Sequence, residues 1–168
     1  RDGVIKLDGY PLGEKISLSQ WRRQIGYVKQ KSFLKSGRIL DLIIGEEVEK
    51  RDQESAIKKA SYFCKVACIE EYIETLPNKY LEYIKEDGNT LSGGQTQRLA
   101  IAICLASNPS LVIFDETTSG LDKNVELKVL NNIKQIKDLT ILFISHSKTL
   151  ETLFKKNIDI SNINSKKS

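Results

Sequence analysis

The 168-residue sequence contains no methionine and begins on Arg1. A chain without its own initiator is expected to be processed or to be a piece of something longer. Histidine occurs once, as His146, and cysteine three times, as Cys64, Cys68 and Cys104. A zinc site needs about four ligands, and His146 is remote in sequence from the cysteines, so no zinc centre is expected. An odd cysteine count with no signal-peptide pattern points to a reducing compartment. The thiols are expected as buried or half-buried apolar side chains, a redox role being the lesser alternative, with Cys64 and Cys68 sharing a helix face. No apolar run approaches the roughly 18 residues of a membrane-spanning helix. Charge of neither sign dominates: 26 basic against 22 acidic side chains leave a net +4. The basic residues are scattered, apart from a lysine-rich tail, whereas a nucleic-acid footprint is a concentrated stripe, so a solvated surface is the reading and no nucleic acid is expected.

What is present is ordinary globular material, 40% hydrophobic and 29% charged, which sets aside disorder, collagen and coiled coil as the dominant class. Val4 to Leu7 reads as a short strand ended by the turn pair Asp8-Gly9. Ser17 or Ser19 is placed to cap a short helix anchored by Trp21 and running to Gln24, and Ile25 to Val28 is a second strand leading into Gln30. From Ser36 to Leu76 the pattern turns helical. Ile39, Leu40, Ile43 and Ile44 suit one helix; Ala56, Ala60, Phe63, Cys64 and Ala67 suit a second, which Pro77 breaks. Gly94 to Leu105 reads as a third. Leu111 to Phe114 is an apolar run as expected of a strand buried on both faces of a parallel sheet, and Thr140 to Ile144 reads as a second such strand, with a helix over Val125 to Ile136 between them. That order predicts an α/β sheet with a right-handed crossover and a helical insertion. The residues from Asn162 onward are expected to fray.

Three places carry chemistry. Leu91-Ser92-Gly93-Gly94-Gln95 runs directly into a helix: two glycines admit a close ligand, and helix-start N–H groups with the dipole favour an anion. Asp115-Glu116 ends a buried strand, the edge where open α/β sheets bind ligands. The aspartate suits Mg²⁺ and the glutamate suits a water-activating base. His146 ends the next strand and shares that edge if the two strands are parallel. Taken singly, each has a plain structural alternative: a Ser/Gly turn capping a helix, an acidic N-cap, a satisfied histidine.

Together these residues resemble the nucleotide-binding domain of ATP-binding cassette (ABC) transporters over nearly the whole chain, from Gly3 to about His146. Leu91 to Gln95 matches the family signature, continued by Gln97-Arg98. Leu111 to Glu116 matches the Walker B strand with its glutamate. Ser119-Gly120-Leu121-Asp122 matches the D-loop, with Gly120 where alanine is commoner. Gln30 matches the Q-loop glutamine, with Lys29 in place of the usual proline, and His146 matches the H-loop histidine. Twenty positions separate Gln95 from Asp115 and thirty separate Glu116 from His146, in keeping with the family. Ser36 to Ile43 and the stretch from Leu76 to Gly88, with acidic Glu86, look like exporter segments.

The resemblance implies a P-loop NTPase-like fold with a mostly parallel core sheet and an inserted α-helical subdomain, incomplete at the N-terminus. It divides as 1–35 (partial core with Q-loop), 36–106 (helical subdomain with signature) and 107–168 (core with Walker B, D-loop and H-loop). It implies ATP and Mg²⁺ as cofactors. Glu116, His146 and Gln30 would be catalytic, Asp115 and Gln30 would hold the metal, and Ser92, Gly93, Gly94, Gln95 and Asp122 would serve the nucleotide. The implied partners are a second nucleotide-binding domain, as homodimer or heterodimer, and transmembrane domains fused upstream. The implied place is the cytoplasmic face of a bacterial inner membrane. The P-loop pattern G-x-x-x-x-G-K-[ST] is missing, as the chain has no Gly-Lys pair. The piece alone is therefore expected to be inactive and to leave apolar sheet surface uncovered. The rival readings are a soluble ABC-type ATPase acting on ribosomes or nucleic acid, and a degenerate interaction module. The 61 positions from Gln30 to Leu91 leave no room for the long coiled coil of chromosome-condensing members.

Overall fold

Three parallel strands organise the molecule: β3 (Ile25–Val28), β6 (Leu111–Asp115) and β7 (Thr140–Ile144), in the spatial order β3-β6-β7. The computed structural model describes residues 4, 6–7, 9–11, 17–46, 48–49, 52–85, 91–117, 120–146, 148–154 and 156–158. Short antiparallel pairs complete the strands: β1 (Lys6–Leu7) with β2 (Tyr10–Pro11), and β4 (Gly37–Arg38) with β5 (Tyr83–Ile84). The helices are α1 (Leu18–Arg23), α2 (Ile39–Ile44), α3 (Gln53–Val66), α4 (Glu70–Thr75), α5 (Gly93–Ala106), α6 (Lys123–Lys134) and α7 (Lys148–Leu153). A 3₁₀ turn, Lys79–Leu81, follows α4. No described helix is long and apolar enough to cross a membrane.

Local chemistry explains the helix ends. Ser17, not Ser19, caps α1: its hydroxyl accepts the Gln20 N–H while the Gln20 side chain returns to the Ser17 N–H, a capping box. Trp21 is only half-buried. At the far end of α2, Gly45 takes φ 89° and donates its N–H to Asp41 O at 2.8 Å, a left-handed cap that glycine adopts without a Cβ penalty. Arg38 forks onto both Asp41 oxygens at 2.6 and 2.9 Å and also reaches Val48 O, tying α2 to its following loop. Helices α2, α3 and α5 pack on one another, and α5 also packs on β3.

The sheet has one covered face and one open one. Val28, Val112 and Phe114 point to the covered side and are fully buried. Phe114 stacks on Phe143 at 4.6 Å between ring centroids, and Phe143 leans on Phe154. Gly26 lies on the same side, where a Cβ would stand 2.4 Å from Cys104 Sγ of α5; the missing side chain lets the helix sit close. The expectation of strands buried on both faces is corrected here. In β6 only alternate residues are buried, and in β7 Leu142 and Ile144 are 45% and 46% exposed. Among the described residues β3 and β7 are the two edge strands, and the side bearing Tyr27, Leu142 and Ile144 carries exposed apolar surface.

All three cysteines are free, with Cys64 buried and Cys68 and Cys104 partly so. Cys68 does not extend the helix face of Cys64, however. It lies beyond the end of α3 at φ 55°, a left-handed residue that turns the chain. The helical stretch to Leu76 holds three helices, not two, and stops before Pro77. Glu86, Asp87, Gly88, Ser119, Gly3 and the tail from Asn162 lie outside the described residues.

Candidate functional site

Because β3, β6 and β7 run parallel, their C-terminal ends fall on one edge, the edge at which α/β sheets take ligands. Gln30 follows β3, Asp115 and Glu116 end β6, and His146 follows β7. Glu116 is the meeting point. Its Oε2 accepts from Gln30 Nε2 at 2.7 Å, and its Oε1 lies 3.3 Å from His146 Nε2. Its own N–H donates to Ile144 O at 2.9 Å. Glu116 also adopts φ 47°, a left-handed conformation that costs a non-glycine residue on the order of 1 kcal/mol. The strand ends hold it there and aim its carboxylate between the two loops.

Asp115 is engaged separately. Its Oδ2 accepts from Tyr27 Oη at 2.6 Å. Tyr27 pairs in register with Ile113, so Asp115 is its diagonal neighbour two residues on, within reach of a tyrosine. Donating to this carboxylate raises the phenol's pKa, since ionising it would lose the bond and oppose two negative charges. Thr117, buried, donates Oγ1 to Val28 O at 2.8 Å and closes β6 onto β3.

The signature residues form a second group. Ser92 and Gln95 cap α5 reciprocally: Ser92 Oγ accepts the Gln95 N–H at 3.3 Å, and Gln95 Oε1 accepts the Ser92 N–H at 2.7 Å. Gln95 is thus a capping residue here. Gly93 and Gly94 form the first turn, and a Cβ on Gly94 would stand 3.8 Å from Gly120 O and 3.6 Å from Leu121 Cδ2. This places the first turn of α5 against Gly120 and Leu121. Asp122 caps α6 by accepting the Asn124 N–H at 2.9 Å.

Sequence alone assigns no site role to Tyr27 or Thr117, and places Gln97 only in the continuation of the signature. Gln97 carried a signal, as it lies on one helical stripe with the buried Ile101 and Leu105, where a polar residue needs a partner. For Tyr27 the signal was the period of two, which puts it on the face of Asp115 once the strands pair.

The oxygens at this edge are of a kind that suits a hard divalent cation. No cluster of three or more His, Cys, Asp or Glu side chains able to hold a metal occurs among the described residues. Mg²⁺ does not require one; it takes one or two protein oxygens and completes its shell with water and phosphate. Asp115 and Gln30 supply oxygens of that kind at the sheet edge.

Comparisons with known proteins agree with this architecture. The family model described as ABC transporter matches residues 1–119. The lactococcin-G-processing and transport ATP-binding protein LagD of Lactococcus lactis is 39% identical over 126 residues, 74% of this chain and 17% of the relative. The pediocin PA-1 transport/processing ATP-binding protein PedD of Pediococcus acidilactici is 39% identical over 145 residues, 86% of this chain and 19% of the relative. The alpha-hemolysin translocation ATP-binding protein HlyB of Escherichia coli is 35% identical over 147 residues, 86% and 20%. The solved structure of a bacterial Atm1-family ABC exporter with ATP bound superposes with a TM-score of 0.77 at 29% identity, over 92% of this chain and 26% of that one. The chain thus spans about one fifth of the length of the curated relatives it matches. On the family match over most of its length, joined to the parallel sheet and the motif order, the chain belongs to the ABC transporter family.

Proposed function

We propose that this chain belongs to an ATP-hydrolysing domain that powers export of a substrate across a membrane. The observation that carries the reading is the Glu116 carboxylate, held at the sheet edge with Gln30 on one oxygen and His146 beside the other. Glu116 orients the attacking water and accepts its proton. His146 steadies Glu116 and faces the terminal phosphate. Asp115 and Gln30 would hold Mg²⁺, which when bound supplies charge neutralisation on the phosphate oxygens.

Ser92, Gly93 and Gly94, with the α5 N–H groups behind them, suit the phosphate of a nucleotide held by a second nucleotide-binding domain. Asp122 crosses to that partner. The working unit is then a pair of nucleotide-binding domains on the cytoplasmic side of a membrane, joined to transmembrane domains, with 36–106 as the helical subdomain. The relatives' names, which speak of transport, processing and translocation, support export over a role on ribosomes or nucleic acid. The test is Glu116→Gln in the full-length protein. ATP hydrolysis is expected to fall by about 100-fold or more while ATP binding stays within about twofold; undiminished hydrolysis overturns the reading.

A further inference from the structure

Three polar side chains are buried among the described residues: Gln97, Thr117 and Glu126. Two of them donate to consecutive carbonyls where β3 ends. Thr117 Oγ1 reaches Val28 O at 2.8 Å, and Gln97 Nε2 reaches Lys29 O at 3.0 Å. The next residue is Gln30, which donates to Glu116, the neighbour of Thr117. These links close a ring: Val28, Lys29 and Gln30 on one strand end, Glu116 and Thr117 on the other, joined at top and bottom by a hydrogen bond. Gln97 enters this ring from α5, one turn beyond the Ser92–Gly94 start of that helix.

We propose that Gln97 is a positioning residue for Gln30, and through it for Glu116. The residue is 6% exposed, so burial and the bond to Lys29 O fix where its amide points. Arg98 beside it bonds Gly94 O and Cys68 O, which anchors the same turn of α5 to the end of α3. The Lys29 carbonyl is thereby held at a set distance from the signature helix, and the approach of Gln30 to Glu116 depends on where that helix sits. An apolar residue of the same volume would fill the space and release the loop. The tether is a geometric statement about this chain; its catalytic consequence rests on the function proposed above.

The test uses the full-length protein with Gln97→Leu, Gln30→Ala and the double variant. Without nucleotide, Gln97→Leu is expected to raise amide hydrogen exchange across residues 29–35 by about 10-fold or more while leaving 53–66 unchanged. In hydrolysis, kcat is expected to fall by about 10-fold or more at an ATP KM within about twofold, as a misplaced catalytic group predicts. On the Gln30→Ala background, adding Gln97→Leu is expected to cost less than about twofold, the non-additivity of residues acting through one another. Unchanged exchange overturns the tether, and independent, multiplying losses overturn the route through Gln30. Should Gln97→Leu fold poorly, Gln97→Asn, whose amide stops one methylene short of Lys29 O, takes its place in the same cycle. If Glu116→Gln leaves hydrolysis intact, the catalytic reading falls, and the exchange experiment alone decides the tether.

Discussion

Gln30 Nε2 donates to Glu116 Oε2 at 2.7 Å, although 86 positions separate the two residues in the chain. The contact exists because β3 and β6 are adjacent and parallel, with Val28 paired to Phe114, so that the residues just past each strand meet. With His146 Nε2 3.3 Å from the other oxygen, the carboxylate lies between two loops. Preorganisation of this kind lowers the reorganisation needed when charge develops.

His146 separates function from stability. Its side chain is 95% exposed, so His146→Ala is expected to change unfolding by no more than about 0.5 kcal/mol. Hydrolysis in the full-length protein is expected to drop by about 100-fold. Thermal unfolding and steady-state phosphate release measure the two quantities; wild-type turnover would remove His146 from the proposed site.

Gly26 and Cys104 are expected to couple. A Cβ at Gly26 would meet Cys104 Sγ at 2.4 Å and Pro109 Cγ and Val112 Cγ2 at 3.2 Å, so Gly26→Ala should destabilise by about 1–3 kcal/mol through overpacking. Cys104→Ala, which removes the sulfur, should return part of that loss in the double variant. A melting-temperature cycle over the four proteins reads this directly, and strict additivity would show that the clash is relieved elsewhere.

The thiols should be quiet and alkali-sensitive. Burial pushes the Cys64 thiol from its usual 9 up to about 12 and that of Cys104 up to about 11. Tyr80, close to Cys64, is also raised, mainly by burial. The folded chain therefore holds these protons more tightly than the unfolded chain. The stability linked to them is complete below about pH 9 and is lost as pH rises through 11 to 12. At pH 8, labelling of Cys64 and Cys104 should be slow until the protein is unfolded. Cys64→Ala should flatten the decline in melting temperature between pH 9 and 11; an unchanged decline would place its cause in other groups.

The isolated 168 residues should neither bind ATP at micromolar concentration nor stay monodisperse. The chain has no Gly-Lys pair to build a phosphate cradle, and Tyr27, Leu142 and Ile144 expose one face of the sheet. Calorimetric titration with ATP and light scattering check the two halves. Micromolar binding by a monodisperse sample would contradict both.

Much of this was legible before folding was considered. The strands at Ile25, Leu111 and Thr140 announce themselves because β-branched and aromatic residues run together between turn residues, and α5 because its glycines precede an apolar periodic stretch. The two-residue strands β2, β4 and β5 were not legible. Gly37–Arg38 pairs with Tyr83–Ile84 across more than forty positions, and two residues carry no periodicity. The exposure of β7 was also hidden, because Thr140 to Ile144 is as apolar as a doubly covered strand, and only the open face of the sheet leaves Leu142 and Ile144 exposed.

By itself the sequence determined the family, the order of the motifs and the α/β class, since these depend on residue identity, spacing and local periodicity. Tertiary structure alone decided which groups touch. Tyr27 reaches Asp115, Gln97 reaches Lys29 O and Gln30 reaches Glu116 only because strand register and helix packing bring distant positions within 3.0 Å. A hydrogen bond is a matter of distance and direction, and neither is written in the order of residues along the chain.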